Sequence, residues 1–190
     1  MGIYLVDIGS DDWADEDAYA PIAQELAEEL AEELAELGLP PYTCPPEPAD
    51  GTGERFDVKI NVPMDSFGRL CRAHDVSGEL LDWEVLIPVD LDEEIELPAE
   101  SAYTDTTRVA GAPAALAAAR HLAEVLGLPP GIPATSENLF LNSWFADRAQ
   151  AAAALHPGPW TEDLDAAFHV TVHLRAAEFV LRTGRPVTYS

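Results

Sequence analysis

Alternating apolar and polar residues in the first half of the chain predict a small β-sheet. Residues 56–62 read Phe-Asp-Val-Lys-Ile-Asn-Val, and every second residue is apolar, as in a strand with one solvent-facing side. Short runs rich in β-branched and other apolar residues predict further strands near 3–8, 83–89 and 94–97. Pro88 near the end of the third strand is typical of a sheet edge or a bulge.

Apolar residues spaced by three and four predict helices between and after these strands. The first helix is expected over residues 15–37, before the stop signal Gly38-Leu39-Pro40-Pro41. Its apolar stripe is Ile22, Leu26, Leu30, Leu34 and Leu37. The same pattern predicts helices from Asp65, as N-cap, to His74, over Ala112–Leu126, over 136–155, and from Thr161, as N-cap, to Gly184. The polar segment before the Ala-rich helix contains Tyr103, Asp105 and Arg108, which could line a pocket, although such segments are also ordinary helix-capping material.

These elements predict an α+β fold, in which a small mixed sheet packs against helices and the C-terminal half is mainly helical. With 190 residues, 47% of them hydrophobic, the chain is long enough to build one core without disulfide or metal support. We therefore expect a single domain over residues 1–190. Five prolines and two glycines within residues 40–55 predict an extended connection inside this domain.

The charge distribution limits the possible binding partners more than any sequence motif does. The chain has 35 acidic and 10 basic side chains and a formal net charge of -25. Residues 1–100 hold 27 acidic and 4 basic side chains, whereas residues 101–190 hold 8 and 6. A surface of one sign repels nucleic acid and anionic lipid and attracts basic partners. The charge therefore predicts a basic protein partner and argues against direct binding to nucleic acid or membranes.

Two sets of carboxylates are candidate partner-binding residues. Glu25, Glu29 and Glu33 lie four residues apart on one face of the first helix. In the second set, Asp90, Asp92, Glu94 and Glu96 fall on one face if the segment is extended. A solvated helix face and a charged edge strand that resists pairing with other sheets are the alternatives. A generally acidic, solubilising surface remains the background alternative.

Histidine spacing on the last helix gives an alternative metal site. His169 and His173 are four residues apart and could share one metal ion. Asp165 is about 12 Å from His173 along the helix axis, too far for one ion to bind both. A third ligand would have to come from elsewhere, so two half-buried histidines, with Asp165 favouring the charged form of His169, are the simpler interpretation.

The sequence thus favours a cytoplasmic, non-enzymatic binding protein that needs no cofactor. Its expected action resembles that of an inhibitor or immunity protein that occludes a nucleic-acid-cleaving toxin. A small metal-dependent enzyme using His169 and His173 is the alternative. The chain has no Gly-x-Gly-x-x-Gly, P-loop, Gly-x-Ser-x-Gly or Cys-x-x-Cys motif. Its two cysteines, Cys44 and Cys71, exclude a disulfide scaffold and leave a single bridge open.

Overall fold

A computed structural model of the chain describes residues 3–9, 21–46, 53–99, 105–134 and 138–190. Side chains at residues 21–25, 138 and 139 are outside this description. Residues 15–20 of the predicted first helix, the side chain of Ile22 and that of Glu25 therefore lie outside the described residues.

The described strands form one mixed sheet, as the alternating pattern predicts. Its strand order is β2-β1-β6-β3-β5-β4. The strands are β1 (Ile3–Asp7), β2 (Asp57–Ile60), β3 (Val85–Ile87), β4 (Ile95–Leu97), β5 (Thr107–Gly111) and β6 (Val187–Tyr189). β3 and β5 are parallel, and the other neighbouring strands are antiparallel. β4 lies at one edge, so the most acidic predicted strand is an edge strand.

Strand β5 is not among the elements that the sequence pattern predicts. Its first two residues, Thr107 and Arg108, belong to the polar segment that precedes the Ala-rich helix. Its polar character is misleading because Thr107 is buried, with 2% of its surface exposed, and its hydroxyl donates to the carbonyl of Ala99 at 2.9 Å. Burying a hydroxyl group lowers stability little when the hydroxyl forms a hydrogen bond. Thr107 and Val109 are both β-branched, and this was the available signal for a strand.

Helices cover both faces of the sheet and make up most of the C-terminal half, which confirms the α+β prediction. They are α1 (Pro21–Glu36), α2 (Asp65–Ala73), α3 (Ser77–Leu80), α4 (Ala112–Leu126), α5 (Asn138–Ser143), α6 (Ala149–Leu155) and α7 (Leu164–Thr183). A π-helical turn, Trp144–Arg148, joins α5 to α6. No helix in the described ranges is both long and apolar enough to cross a membrane.

Two of the predicted N-caps are wrong. Helix α7 is capped by Asp163, whose carboxylate accepts a hydrogen bond from the Ala166 amide at 2.9 Å. Thr161 instead ends a 3-10 turn, where its hydroxyl donates to the Gly158 carbonyl. Asp65 is already in the first turn of α2, which follows Met64. A carboxylate is favourable both as N-cap and in the first turn, so composition alone does not separate the two positions.

Of the helices in the described ranges, α1 packs on one face of the sheet. Leu26, Leu30 and Leu34 are buried there against residues of β3, β4 and β5, which confirms that part of the predicted stripe. Leu37, the last residue of the predicted stripe, is 58% exposed, so the buried part of the stripe ends at Leu34. The chain turns at Gly38, with φ of 71°, and Leu39 packs on this core in its place. The larger core, on the opposite face, contains residues of α2, α4 and α7.

The described part of the Pro-rich connection packs against the end of α7. Tyr42 donates a hydrogen bond to the Gly184 carbonyl at 2.8 Å, and Cys44 is buried in the α1 core. Residues 47–52 lie outside the described residues. Cys71 belongs to the larger core on the other side of the sheet, and neither cysteine forms a disulfide bond. The sheet between them explains why no Cys44–Cys71 bridge forms.

Candidate functional site

The fold brings the two predicted acidic sets to the same edge of the sheet. Helix α1 packs beside β4. The Glu29 carboxylate accepts a hydrogen bond from the Ala99 amide, just beyond β4, at 3.1 Å. Acidic residues of α1 and of residues 90–96 therefore lie at the same edge of the sheet, although about sixty residues separate them in the chain. We call this region the acidic edge; it comprises the described glutamate side chains of α1, those of Glu28, Glu29, Glu32, Glu33 and Glu36, together with Asp90, Asp92, Glu93, Glu94 and Glu96.

On α1, the most exposed glutamates are not the predicted ones. Glu29 and Glu33 are half-buried, and Glu29 is engaged by the backbone of Ala99. The side chain of Glu25 lies outside the described residues. The fully solvent-facing stripe is Glu28, Glu32 and Glu36. Both stripes have the same spacing of four, and only the direction in which the Leu stripe packs decides which one faces solvent.

The second acidic set does not form the straight row that an extended segment would give. Only Ile95–Leu97 is a strand, while residues 88–94 form a loop, here called the acidic loop. Ile95 and Leu97 are buried in the α1 core, so Glu96 points away from α1. Asp90, Asp92, Glu94 and Glu96 are nevertheless all exposed. The edge position of β4 also fits the alternative in which its charges prevent pairing with other sheets.

A small cavity of about 200 Å³ opens beside the acidic loop. Four acidic residues line it, Glu79, Asp92, Glu93 and Glu94, together with the apolar residues Leu91, Ala110 and Ala114. It lies where β5 ends and α4 begins.

The close approach of the acidic loop to this end of β5 requires glycine at 111. A Cβ there would lie 2.6 Å from the Val89 carbonyl oxygen and 2.9 Å from the Leu91 nitrogen. Glu79 and Glu93 were missed from the sequence. No spacing rule connects Glu79, on α3, with a loop more than ten residues further along the chain.

Few basic side chains oppose this negative charge. Lysine and arginine are absent from residues 1–54 and from residues 73–107. Arg108 on β5 lies opposite Glu96 in the strand register, and its guanidinium is 4.0 Å from the Asp82 carboxylate. An exposed pair at that distance contributes little. The acidic edge therefore keeps most of its negative potential.

His169 and His173 occupy a different place, inside the larger core. They are 0% and 1% exposed, so the prediction of half-buried histidines is wrong. Nδ1 of His173 donates to the His169 carbonyl at 2.8 Å, and Nε2 accepts from the Tyr189 hydroxyl at 3.0 Å. This assignment follows because a carbonyl can only accept. Both ring nitrogens of His173 are thus engaged, and a metal ion would have to displace one of these hydrogen bonds.

The His169 ring is also oriented by the backbone. Its Nε2 lies 3.2 Å from the Val62 carbonyl and 3.1 Å from the Pro63 carbonyl, so Nε2 carries the proton. Nδ1 has no hydrogen-bond partner among the described residues. Within the same part of the chain, no group of three or more His, Cys, Asp or Glu side chains is arranged to hold a metal. The geometry gives the metal-dependent enzyme no support at these residues.

Burial sets the protonation of this histidine cluster. Desolvation lowers the pKa of His173 to about 4, and it also lowers the pKa of His169, against weaker opposing effects of two carbonyls and Asp165. Both imidazoles are neutral at pH 7, so Asp165 does not produce the expected charged His169. Burial likewise raises the pKa of the Cys71 thiol to about 12, so this thiol is not a nucleophile at neutral pH.

The lowered pKa of His173 predicts an acid-sensitive fold. An unfolded histidine takes up a proton near pH 6.5, whereas folded His173 does so only near pH 4. The unfolded state therefore binds more protons between these values, and about 3 kcal/mol of stability is lost as the pH falls through this range. Urea unfolding at several pH values gives the free energy of unfolding as a function of pH. Between pH 4 and 6.5, the slope of this curve should correspond to about one proton fewer for His173→Gln than for the wild type. The exposed His156→Gln is the control, and an unchanged slope in His173→Gln would contradict this expectation.

Comparison of the chain with protein-family models, with curated proteins and with solved structures found no match. No relative therefore supplies a function or a residue role for the acidic edge, the cavity or the histidine cluster. The chemistry of the described residues is the basis on which a function can be proposed.

Proposed function

We propose that the chain is a non-enzymatic acidic protein that binds and occludes the cationic surface of a basic protein, as an inhibitor or immunity protein does with a nucleic-acid-cleaving toxin. The observation that supports this most is the joining of α1 and the acidic loop at one sheet edge, in a part of the chain without lysine or arginine. A cationic groove that binds phosphates would find a substitute set of oxygen ligands there.

The position of the charges suits fast association. Helix α1 is held by three buried leucines, although like charges four residues apart weaken the helix itself. Packing thus fixes the carboxylates on a rigid support, so a partner need not order them when it binds. Their combined field steers a basic protein to this edge over distances set by the ionic strength.

The cavity beside the acidic loop offers a specific contact within this surface. Its four acidic residues are complementary in charge to an arginine or lysine side chain. Its apolar residues Leu91, Ala110 and Ala114 can pack against the aliphatic part of such a side chain. Arginine pairs with carboxylates through a planar fork of donors. We therefore place one basic side chain of the partner in this cavity, with the α1 stripe contacting the surrounding basic surface.

Charge-neutralised variants test the proposal and separate the two α1 stripes. One triple variant changes Glu28, Glu32 and Glu36 to Gln, and a second changes Glu25, Glu29 and Glu33 to Gln. We expect the first variant to associate more slowly than the second, because its stripe faces solvent. Asp90, Asp92, Glu94 and Glu96→Asn or Gln should slow association and also speed dissociation, because this set includes two cavity carboxylates. Glu124, Asp147 and Glu162, exposed in the second half, give a charge-matched control for the three-residue variants when changed to Gln or Asn.

The measurement is binding kinetics with the basic protein that co-purifies from source cells at low salt, once that protein has been purified separately. We expect the association rate to fall by about tenfold or more as the Debye length shortens from about 30 Å at 0.01 M salt to about 8 Å at 0.15 M. Equal effects of the control and α1 variants would assign the binding to net charge alone. Association rates that change neither with salt concentration nor in the acidic-edge variants would refute the proposal.

A further inference from the structure

A groove of about 390 Å³ lies between α4 and α7, on the side of the sheet that carries the larger core. Its lining comes from the second half of α4, the turn that follows it and the middle of α7. Ligand-binding clefts in proteins have volumes of about 300–1,000 Å³. This region, here called the α4–α7 groove, is therefore large enough for a small organic molecule.

Apolar residues form much of the lining of the α4–α7 groove. Leu174 of α7 lies there, together with residues after the end of α4: Leu128, Pro129, Pro130 and Ile132. Ile132 is 8% exposed and belongs to the larger core, and Leu128 and Leu174 pack against that core. The core thus holds the apolar lining in place, and a ligand need not order it on binding. Such a surface suits the hydrocarbon part of a ligand.

Two arginines, one on each helix, bring positive charge to the groove. Arg120 of α4 is exposed, and within the described part of the chain it forms no hydrogen bond or ion pair. Arg175 of α7 is half-buried, and its Nη1 donates to Oε2 of Glu178 at 2.7 Å, which orients the guanidinium. A guanidinium has five N–H donors, so both arginines have donors left for an anionic ligand.

The charges of the lining favour a singly charged anion. Glu124, one turn after Arg120 on α4, is the acidic residue that accompanies the two arginines in the groove. A doubly charged phosphate would be repelled by Glu124 and would make no use of the apolar lining. A carboxylate, in contrast, pairs with arginine through two parallel hydrogen bonds, and a hydrocarbon group attached to it can pack against Leu128 and Leu174.

We infer that the α4–α7 groove binds a small organic carboxylate, with the carboxylate at Arg120 and Arg175 and the hydrocarbon part on the apolar lining. This site does not depend on the acidic edge or on its proposed partner. Ala114, which lines the acidic cavity, and Gly127, which lines this groove, are about 20 Å apart along α4.

Titration of the full chain with sodium octanoate, followed through backbone amide chemical shifts in two-dimensional NMR spectra, tests this site. Octanoate supplies a carboxylate and a hydrocarbon chain, and octanamide has the same chain without the charge. We expect saturable octanoate binding, with the shift changes concentrated in α4 and α7 around the groove. Octanamide and inorganic phosphate should bind about tenfold more weakly or less, because each lacks one of the two kinds of contact.

Charge variants of opposite sign separate this site from general effects on the fold. Arg120→Gln and Arg175→Gln should each weaken octanoate binding by about tenfold, since each removes a charged hydrogen-bond donor. Glu124→Gln should strengthen binding by about twofold to fivefold, which damage to the fold would not do. The matched controls are Arg148→Gln and Asp147→Asn, which change exposed residues outside the lining and should bind octanoate as the wild type does.

Arg120 and Glu124 are exposed, so their variants should fold, and circular dichroism checks this. The inference is wrong if octanoate produces no saturable shift changes, or if octanamide binds as tightly as octanoate. It is also wrong if Arg120→Gln and Arg175→Gln bind octanoate with the affinity of the wild type.

Discussion

Replacing Arg185 with leucine is expected to lower the free energy of unfolding by about 3–5 kcal/mol, the usual cost of breaking a buried ion pair from one side. The guanidinium of Arg185 is 2.8 Å from the Asp7 carboxylate, and the two side chains are 5% and 3% exposed. The same guanidinium donates to the Glu54 carbonyl and lies over the Phe179 ring at 5.1 Å. Leucine would leave Asp7 charged, buried and without its closest cation.

Urea denaturation at pH 7 measures this effect, and two further variants make it specific. Arg182→Leu breaks an ion pair with Glu54 whose side chains are 51% and 43% exposed, so it should cost less than about 1 kcal/mol. Adding Asp7→Asn to Arg185→Leu should recover part of the loss, because the buried charge is then removed. Similar losses in Arg182→Leu and Arg185→Leu would show that burial of the pair is unimportant.

Replacing Leu30 with alanine should have an effect of similar size on the other face of the sheet. Leu30 is 1% exposed and packs in the core between α1 and the sheet. Alanine would remove that contact and leave a cavity, which typically costs about 2–5 kcal/mol.

Leu37→Ala is the matched control for this second prediction. The two leucines are seven residues apart, but Leu37 is 58% exposed, so its replacement should change stability by about 0.5 kcal/mol or less. Chemical denaturation of both variants, at a salt concentration high enough to screen the glutamates, measures the difference. A loss under about 1 kcal/mol for Leu30→Ala would mean that α1 is not held by this core.

Elements with strong local signals are the ones that sequence predicts well. Helix α4 has the predicted bounds, Ala112–Leu126, because Pro113 suits a first turn and Gly127 supplies the left-handed C-cap. Helix α7 ends at Gly184 for the same reason. The predicted burial of its histidines fails, because neighbours surround α7 on nearly every side. A helix that is buried all round has no polar face from which exposure can be inferred.

Features that depend on distant residues are the ones that sequence misses. Asp7 and Arg185 are nearly the whole chain apart, and neither has neighbours that mark it as part of a buried ion pair. The acidic edge was predicted as two separate sets because only the packing of α1 beside β4 joins them. Charge density can be counted along a sequence, but its distribution in space depends on tertiary contacts.

The central place of β6 has a consequence for how the sheet assembles. β6 pairs with β1 on one side and with β3 on the other, while among the described strands β1–β2 and β3–β5–β4 share no other contact. Residues 187–189 must return to a strand near the start of the chain, a closure of very high contact order. Without β6 in place, the sheet would consist of two half-sheets, each with an open inner edge capable of pairing with another chain. The glutamate-rich outer edge then helps to keep such half-sheets apart by mutual repulsion.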